Sequence, residues 1–281
     1  MPTHLALAET PRLCSSDLSA VFRRARVVLC DIDGVLTVGG CLTAGAAEFG
    51  RAIGQRLGLV SNNSTEAPDE VAGRLRDLGL AMVPDRIILA GWEAIRVSAI
   101  EHPGARALVL GTRSIRDHAA ASGLRLVSDR SAEIVILCRD LDIGYDRLAT
   151  AFDLVSAGCP LVVANPDIWH PGPDGARIME TGALLAALTA ARPSLSARII
   201  GKPQHLLFEI ALARFRCRAD QAVMIGDNDA TDICGARRAG ITPVRIGIGG
   251  NAESLAEIVR TGVLDPSMPA QGGETFPEPR R

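Results

Sequence analysis

The run Val27-Val28-Leu29-Cys30 leads without a break into Asp31-Ile32-Asp33-Gly34-Val35-Leu36. A short, continuously apolar, β-branched run reads as a strand covered on both faces, which is the environment of a parallel sheet flanked by helices. Sheets of that kind bind ligands in the crevice beyond the carboxyl ends of their strands, where this run delivers two acids. Side chains at i and i+2 share a face of a strand, so Asp31 and Asp33 can address one small volume. Carboxylates that close repel each other, and without a cation one of them holds a proton. Such a pair can separate nucleophilic or metal-binding work from proton transfer. Asp-Gly is also ordinary turn chemistry, so the segment alone leaves both readings open.

Three further apolar segments end in polar groups. Gly58-Leu59-Val60 ends in Ser61-Asn62-Asn63-Ser64-Thr65, and Arg198-Ile199-Ile200-Gly201 ends in Lys202-Pro203. Ala222-Val223-Met224-Ile225-Gly226 ends in Asp227-Asn228-Asp229-Ala230-Thr231-Asp232. Each tip has a plain structural reading: Ser and Asn cap helices, and Asp227 or Asp232 suits the start of a helix through residues 233–239. Four such tips in one chain supply carboxylates, a hydroxyl, a cation and a metal-type acid cluster, and chance placement of all four is improbable.

With these motifs in order, the chain resembles the haloacid dehalogenase-like (HAD) phosphatases, and within them the NagD-like, para-nitrophenylphosphatase-type subfamily with a large inserted cap. The resemblance runs from about residue 26 to about residue 250 and includes Val163-Ala164-Asn165-Pro166-Asp167, similar to the subfamily's TNPD segment. It implies a Rossmann-like α/β parallel sheet core with an inserted α/β cap domain. It also implies hydrolysis of a small-molecule phosphomonoester through an aspartyl-phosphate. In that scheme Asp31 is the nucleophile, Asp33 the general acid and base, Ser61 a phosphoryl hydrogen-bond donor, and Lys202 the cation beside Asp31. Asp31, Asp33 (through its carbonyl), Asp227 and Asp232 form the implied Mg²⁺ site, a hard all-oxygen set suited to that ion. Asn62, Asn63, Asn165, Asp167, Glu180 and Thr181 are the candidate substrate contacts. A phosphotransferase or phosphomutase shares every motif and stays open as the alternative. A response-regulator receiver lacks room for the insertion and has no second acid at Asp33, and a metal-free dehalogenase has no use for Asp33 or Asp227.

Strand and helix patterns alternate along the chain, as a parallel sheet requires. Residues 66–78 read as a helix opened by Pro68 and closed by Gly79, and Gly39, Gly40 and Gly45 flank a hairpin beside the nucleophile. About 140 residues separate Ser61 from Lys202, many more than one crossover needs. Strand patterns at 107–110, 133–137 and 161–164, with helices at 115–122 and 145–157, give the insertion its own core. The expected layout is core at 1–88, cap at 89–178, core again at 179–265 and a Pro- and Gly-rich tail at 266–281. Met179-Glu180-Thr181-Gly182-Ala183 stands where the subfamily carries small residues. Glu180 can begin a helix over 183–191 or face the leaving group. Trp169 and His170 are the leading aromatic candidates for the substrate end.

Composition narrows the partners. A formal charge of −2 over 281 residues, with signs interspersed, provides no basic face for nucleic acid. No apolar run reaches membrane-spanning length, and no leader pattern opens the chain. Seven cysteines without CxxC spacing read as reduced thiols of a cytoplasmic protein. A homodimer through the cap is a further expectation of the resemblance.

Overall fold

The computed structural model describes residues 15–172 and 175–264; the tail expected at 266–281 lies outside the described residues. The first half runs α1 (Ser15–Arg24), β1 (Val27–Cys30), the pair β2 (Thr37–Val38) and β3 (Cys41–Leu42), α2 (Ala46–Ile53), β4 (Leu57–Ser61), α3 (Pro68–Asp77), β5 (Ile87–Leu89) and α4 (Ala90–Glu101). Next come β6 (Arg106–Leu110), α5 (Arg113–Ala121), β7 (Arg125–Leu126), β8 (Ile134–Leu137), α6 (Tyr145–Ser156) and β9 (Leu161–Val163). A second hairpin, β10 (Trp169–Pro171) and β11 (Arg177–Met179), leads into α7 (Thr181–Ala191) and β12 (Arg198–Ile199). The chain then follows α8 (His205–Arg214), β13 (Ala222–Gly226), α9 (Cys234–Arg238), β14 (Thr242–Arg245) and α10 (Leu255–Arg260).

Two parallel five-stranded sheets result, ordered β14-β13-β1-β4-β5 and β12-β9-β8-β6-β7. The α/β class with a Rossmann-like parallel core is therefore as expected. β1 lies centrally because all four of its residues are buried, the condition its unbroken apolar sequence describes. Its alternate side chains enter different cores. Val28 and Cys30 pack with Phe22, Phe49, Leu75 and Leu255, whereas Val27 and Leu29 pack toward α4 and α8.

The second of these cores is shared. Val27, Leu29, Val60 and Ile88 from the first sheet join Ala107, Val109, Ile134 and Ile136 from the second, with Ala94 and Ile95 of α4 in the same cluster. Burying α4 by both sheets explains why its apolar residues lack a single-faced stripe. The outer face of the second sheet packs Leu108, Leu110, Val135 and Leu137 against Leu154 of α6 and Leu188 of α7. Truncating any of these buried leucines to Ala would cost about 2–5 kcal/mol.

One boundary differs from the expected layout. β12 and α7, placed from sequence in the second core segment (179–265), belong with the second sheet: Arg198 and Ile199 pair with Val162 and Val163. The strand before Lys202 is therefore not a strand of the sheet that carries Asp31. Periodicity marks a strand but carries no information about which sheet takes up its hydrogen bonds. The β2–β3 connection is a two-residue turn, Gly39-Gly40, with φ of 57° and 82°. Positive φ at both turn positions suits the twist of a tight hairpin and favours glycine.

Candidate active site

Asp31 leaves β1 with its N–H donating to the Ile225 carbonyl at 2.9 Å, so the backbone stays bound to β13. Its Oδ1 accepts from the Ile32 N–H at 2.8 Å and pairs with Lys202 Nζ at 2.8 Å. Both contacts use one oxygen, so Oδ2 carries no hydrogen bond among the described residues. The chain then folds back: the Gly34 N–H donates to the Thr37 carbonyl at 2.8 Å, and Thr37 Oγ1 donates to Asp33 Oδ1 at 3.2 Å. Asp33 is exposed and Thr37 buried, so a fixed hydroxyl steers a solvent-facing acid.

Lys202 is only 1 % exposed, and its ammonium meets three acceptors: Asp31 Oδ1, Asp232 Oδ1 at 2.6 Å and the Val60 carbonyl at 3.1 Å. Three donors with three acceptors leave the ammonium satisfied. Burial alone would lower its pKa, but Asp232 and Asp31 outweigh that and raise it, so the lysine is charged. Asn62 fixes its backbone. Asn62 Oδ1 accepts from the Lys202 N–H at 2.8 Å, while Nδ2 donates to the Lys202 carbonyl at 3.0 Å and to Asp167 Oδ2 at 2.9 Å.

β13 ends at Gly226, and Asn228 caps the following turn, its Oδ1 accepting from the N–H groups of Ala230 and Thr231. Neither Asp227 nor Asp232 is needed as that cap. Asp232 is fully buried, bonded to Lys202 through Oδ1 and to the Asn228 N–H through Oδ2. Asp31, Asp227 and Asp232 each place an oxygen within 4.8 Å of the others. Burial, then the neighbouring Asp232, pushes the carboxyls of Asp31 and Asp227 above their usual range. Three carboxylates against one ammonium leave uncompensated negative charge, and an all-oxygen set of this kind suits a hard divalent cation. Gly34 keeps the approach open: a Cβ there would lie 2.2 Å from Asp227 Oδ2.

These groups open into a cavity of about 360 Å³. Asp31, Asp33, Ser61, Lys202 and Asp227 line one end, and Arg139, Asp167, Trp169, His170 and Glu180 line the rest from the second sheet's side. Ser61 is buried and its Oγ accepts from the Asn63 N–H at 3.1 Å. Asn63 borders the cavity, but its side chain serves the local turn, accepting from the N–H groups of Thr65 and Glu66 and donating to Glu66.

Two candidate substrate contacts lie away from the cavity lining. Asn165 and Thr181 are completely buried and do not line the cavity. Asn165 Nδ2 donates to the Asn62 carbonyl at 2.7 Å, and Thr181 Oγ1 shares a hydrogen bond with Ser64 Oγ at 2.9 Å. Each is consumed in joining the Ser61 loop to α7, because polar groups this deep must find partners within the protein. Glu180 meets the first of the readings open from sequence, the start of α7, and also lines the cavity. It caps α7 through Oε2 and faces the cavity, with Oε1 bonded to His170. Burial raises its pKa, with Arg139 and His170 opposing that shift.

Sequence reasoning missed Thr37, Arg139 and the Glu66–Arg74 pair, all of which line the cavity. A hydroxyl four residues after Asp33 was the one visible signal. Arg139, two residues past the end of β8, becomes interpretable only when the second sheet is set over the first.

Models of two families match the chain: haloacid dehalogenase-like hydrolase over residues 28–125 and HAD-hydrolase-like over residues 199–266. Human chronophin is 33 % identical over 256 residues, covering 85 % of this chain and 86 % of its own. A glycerol phosphate phosphatase from Mycobacterium tuberculosis, solved with magnesium, superposes with a TM-score of 0.74 at 31 % identity, covering 80 % of this chain and 69 % of that one. A p-nitrophenyl phosphatase from Archaeoglobus fulgidus shares the fold, with a TM-score of 0.77 at 24 % identity over 84 % of this chain and 99 % of that one. The ordered carboxylates around a buried lysine, carried on these two sheets, thus agree with the comparisons, and the chain belongs to the haloacid dehalogenase-like hydrolases.

Proposed function

We propose that the protein is a Mg²⁺-dependent phosphomonoester hydrolase that acts on a small-molecule phosphate through an aspartyl-phosphate. The observation that carries this reading is Asp31, a side chain that lines the cavity with Oδ1 held by Lys202 and the Ile32 N–H and Oδ2 without a hydrogen bond among the described residues. Asp31 Oδ2 attacks phosphorus as the ester P–O bond breaks, and Asp33 gives its proton to the departing alkoxide. Asp33 then takes a proton from water as that water attacks phosphorus, the bond to Asp31 breaks and inorganic phosphate leaves. Lys202 opposes the upward shift of the Asp31 carboxyl and orients it, and with Ser61 it offsets charge on the transferring group. Asp31, Asp227 and Asp232 would hold the Mg²⁺, with the Asp33 carbonyl as the fourth proposed ligand. The ion supplies charge neutralisation for a dianionic phosphate that otherwise meets several carboxylates.

The relatives' substrates support a small, compact leaving group, and the confined cavity accords with it. The cap is the second sheet with its helices, which cover the nucleophile from across the cleft. Cytoplasmic residence belongs to this reading, supported by six free cysteines among the described residues, as do the absence of a membrane or nucleic-acid partner and a homodimer through the cap. No helix of the described residues is long and apolar enough to cross a membrane. Exposed Leu141 and Tyr145 at the edge of the cap offer apolar surface for a second copy. Phosphate release from a panel of phosphomonoesters, with Mg²⁺ and with chelator, tests the reading. Metal-dependent release is expected, and no release from any ester would overturn it.

A further inference from the structure

Ser61 ends β4, and its hydroxyl oxygen has one fixed neighbour, the Asn63 N–H, which donates to it at 3.1 Å. The hydroxyl proton itself is given to no acceptor among the described residues. An N–H against one lone pair turns that proton elsewhere and leaves it for a molecule in the cavity that Ser61 lines.

Asn63 is in turn held from both ends. Its Oδ1 accepts from the Thr65 N–H at 2.9 Å and the Glu66 N–H at 3.1 Å, while Nδ2 donates to Glu66 Oε2 at 2.7 Å. Glu66 is gripped by Arg74, whose Nε donates to Oε1 at 3.0 Å and whose Nη2 donates to Oε2 at 2.9 Å. A two-pronged pair fixes the planes of both partners, which a single bond does not. Arg74 stands on α3, whose Val71 and Leu75 are completely buried in the core beneath. A relay thus runs from a packed helix through Glu66 and Asn63 to Ser61.

The pair also matters for charge. Glu66 lines a cavity that already contains Asp31, Asp33 and Asp227. Without Arg74 its carboxylate would be unopposed where a phosphate must enter, and free to swing away from Asn63. The side chains of Arg74 and Glu66 are 33 % and 27 % exposed, so as an ion pair they add little to stability. Geometry is what they supply.

We propose that Arg74 is a positioning residue for Ser61: through Glu66 and Asn63 it holds the Asn63 N–H against Ser61 Oγ and so presents the hydroxyl proton to a phosphoryl oxygen. This rests on the phosphomonoesterase reading and adds the device that sets its hydroxyl donor.

The test is a double-mutant cycle on the full chain with Mg²⁺, read by calorimetric binding of inorganic phosphate and by kcat/KM for p-nitrophenyl phosphate. Arg74→Met keeps the stem and removes the fork. It should weaken phosphate binding and lower kcat/KM by about three- to ten-fold, the scale of one hydrogen bond, with the thermal midpoint little changed. In a Ser61→Ala background the same change should add less than about two-fold, because the hydroxyl it positions is gone. Equal losses in the two backgrounds would mean that Arg74 acts by charge alone and would overturn the inference. So would an Arg74→Met protein that binds phosphate as wild type does. Glu66→Ala should reproduce the Arg74→Met loss, and the two together should lose no more than either; additive losses overturn the relay. If Arg74→Met does not fold, Arg74→Lys, which keeps the charge without the fork, enters the same cycle. Nitrophenol release by wild type with an additive cycle sinks only this inference, whereas release from no ester sinks the phosphatase reading.

Discussion

Ser64 Oγ and Thr181 Oγ1 lie 2.9 Å apart although 117 positions separate them, and both are buried. Asn165 Nδ2 reaches each of them at 3.3 Å, and the Arg139 N–H donates to Ser64 Oγ at 3.1 Å. This buried cluster ties the loop after β4 to the wall that carries Glu180. Replacing Thr181 by Val keeps the shape but removes one partner from a closed network. The expected cost is about 1–3 kcal/mol, measured as a lowered denaturant midpoint at unchanged m-value.

Asp31→Asn should abolish phosphate release while the protein still folds. The amide is a poor nucleophile, and it removes a carboxylate from beside Lys202 without changing volume. Steady-state turnover and far-ultraviolet circular dichroism together check this; substantial turnover by the purified variant would reassign the nucleophile.

Asp227 and Gly34 offer two routes to one deficit. Asp227→Asn should raise the Mg²⁺ concentration needed for half-maximal activity by an order of magnitude or so, as loss of a charged ligand predicts. Gly34→Ala should do the same without removing a ligand, since its Cβ would overlap Asp227 Oδ2, 2.2 Å away, at a φ of 91°. Metal titrations of both variants after chelator treatment provide the measurement.

Asp33→Asn should separate substrates by leaving-group basicity. Nitrophenyl phosphate needs little protonation and should still phosphorylate Asp31, whereas alkyl phosphates should fail at the first step. The trapped aspartyl-phosphate should then break down slowly. Quench experiments that detect equal losses for both esters and no accumulating intermediate would remove Asp33 from the acid–base role.

His118 supplies a pH-dependent contribution to stability away from the catalytic end. Its ring stacks on Trp92 with centroids 3.5 Å apart and planes 4° from parallel, and burial lowers its pKa from 6.5 to about 4. A depressed histidine binds its proton less readily when folded than when unfolded, so its stabilising contribution is full above pH 6.5. It is lost progressively as the pH falls from there through about 4. His118→Phe keeps a stacking ring without the titration and should flatten the acid side of the stability curve. Denaturation midpoints at several pH values across that window, followed by Trp92 fluorescence, give the comparison.

Much of this protein is decided locally. The apolar runs at Val27–Cys30, Leu57–Ser61 and Ala222–Gly226 become strands of one parallel sheet because short β-branched segments can satisfy their backbone and bury both faces nowhere else. The acids after β1 and β13 and the serine at the end of β4 then share one cleft, as strand direction requires. The paired glycines at 39 and 40 mark the hairpin that follows Asp33 through backbone conformation alone.

Other features exist only in three dimensions. The sheet that accepts β12, the burial of Asn165 and Thr181, and the contacts of Lys202 with Asp31 and Asp232 depend on groups far apart in the chain. A side chain such as Asn165 has the same chemistry at a cavity wall as in a sealed network; only the neighbours it meets make it a ligand or a brace. The same holds for Glu180, whose position before α7 is local, whereas its hold on His170 and Arg139 arises because the hairpin and the loop after β8 converge on it. Sequence therefore determined the strands and the chemistry at their tips, through short-range periodicity and residue type. Tertiary packing decided which polar groups face the cavity and which brace its walls, because hydrogen-bond satisfaction at depth is settled by distant partners.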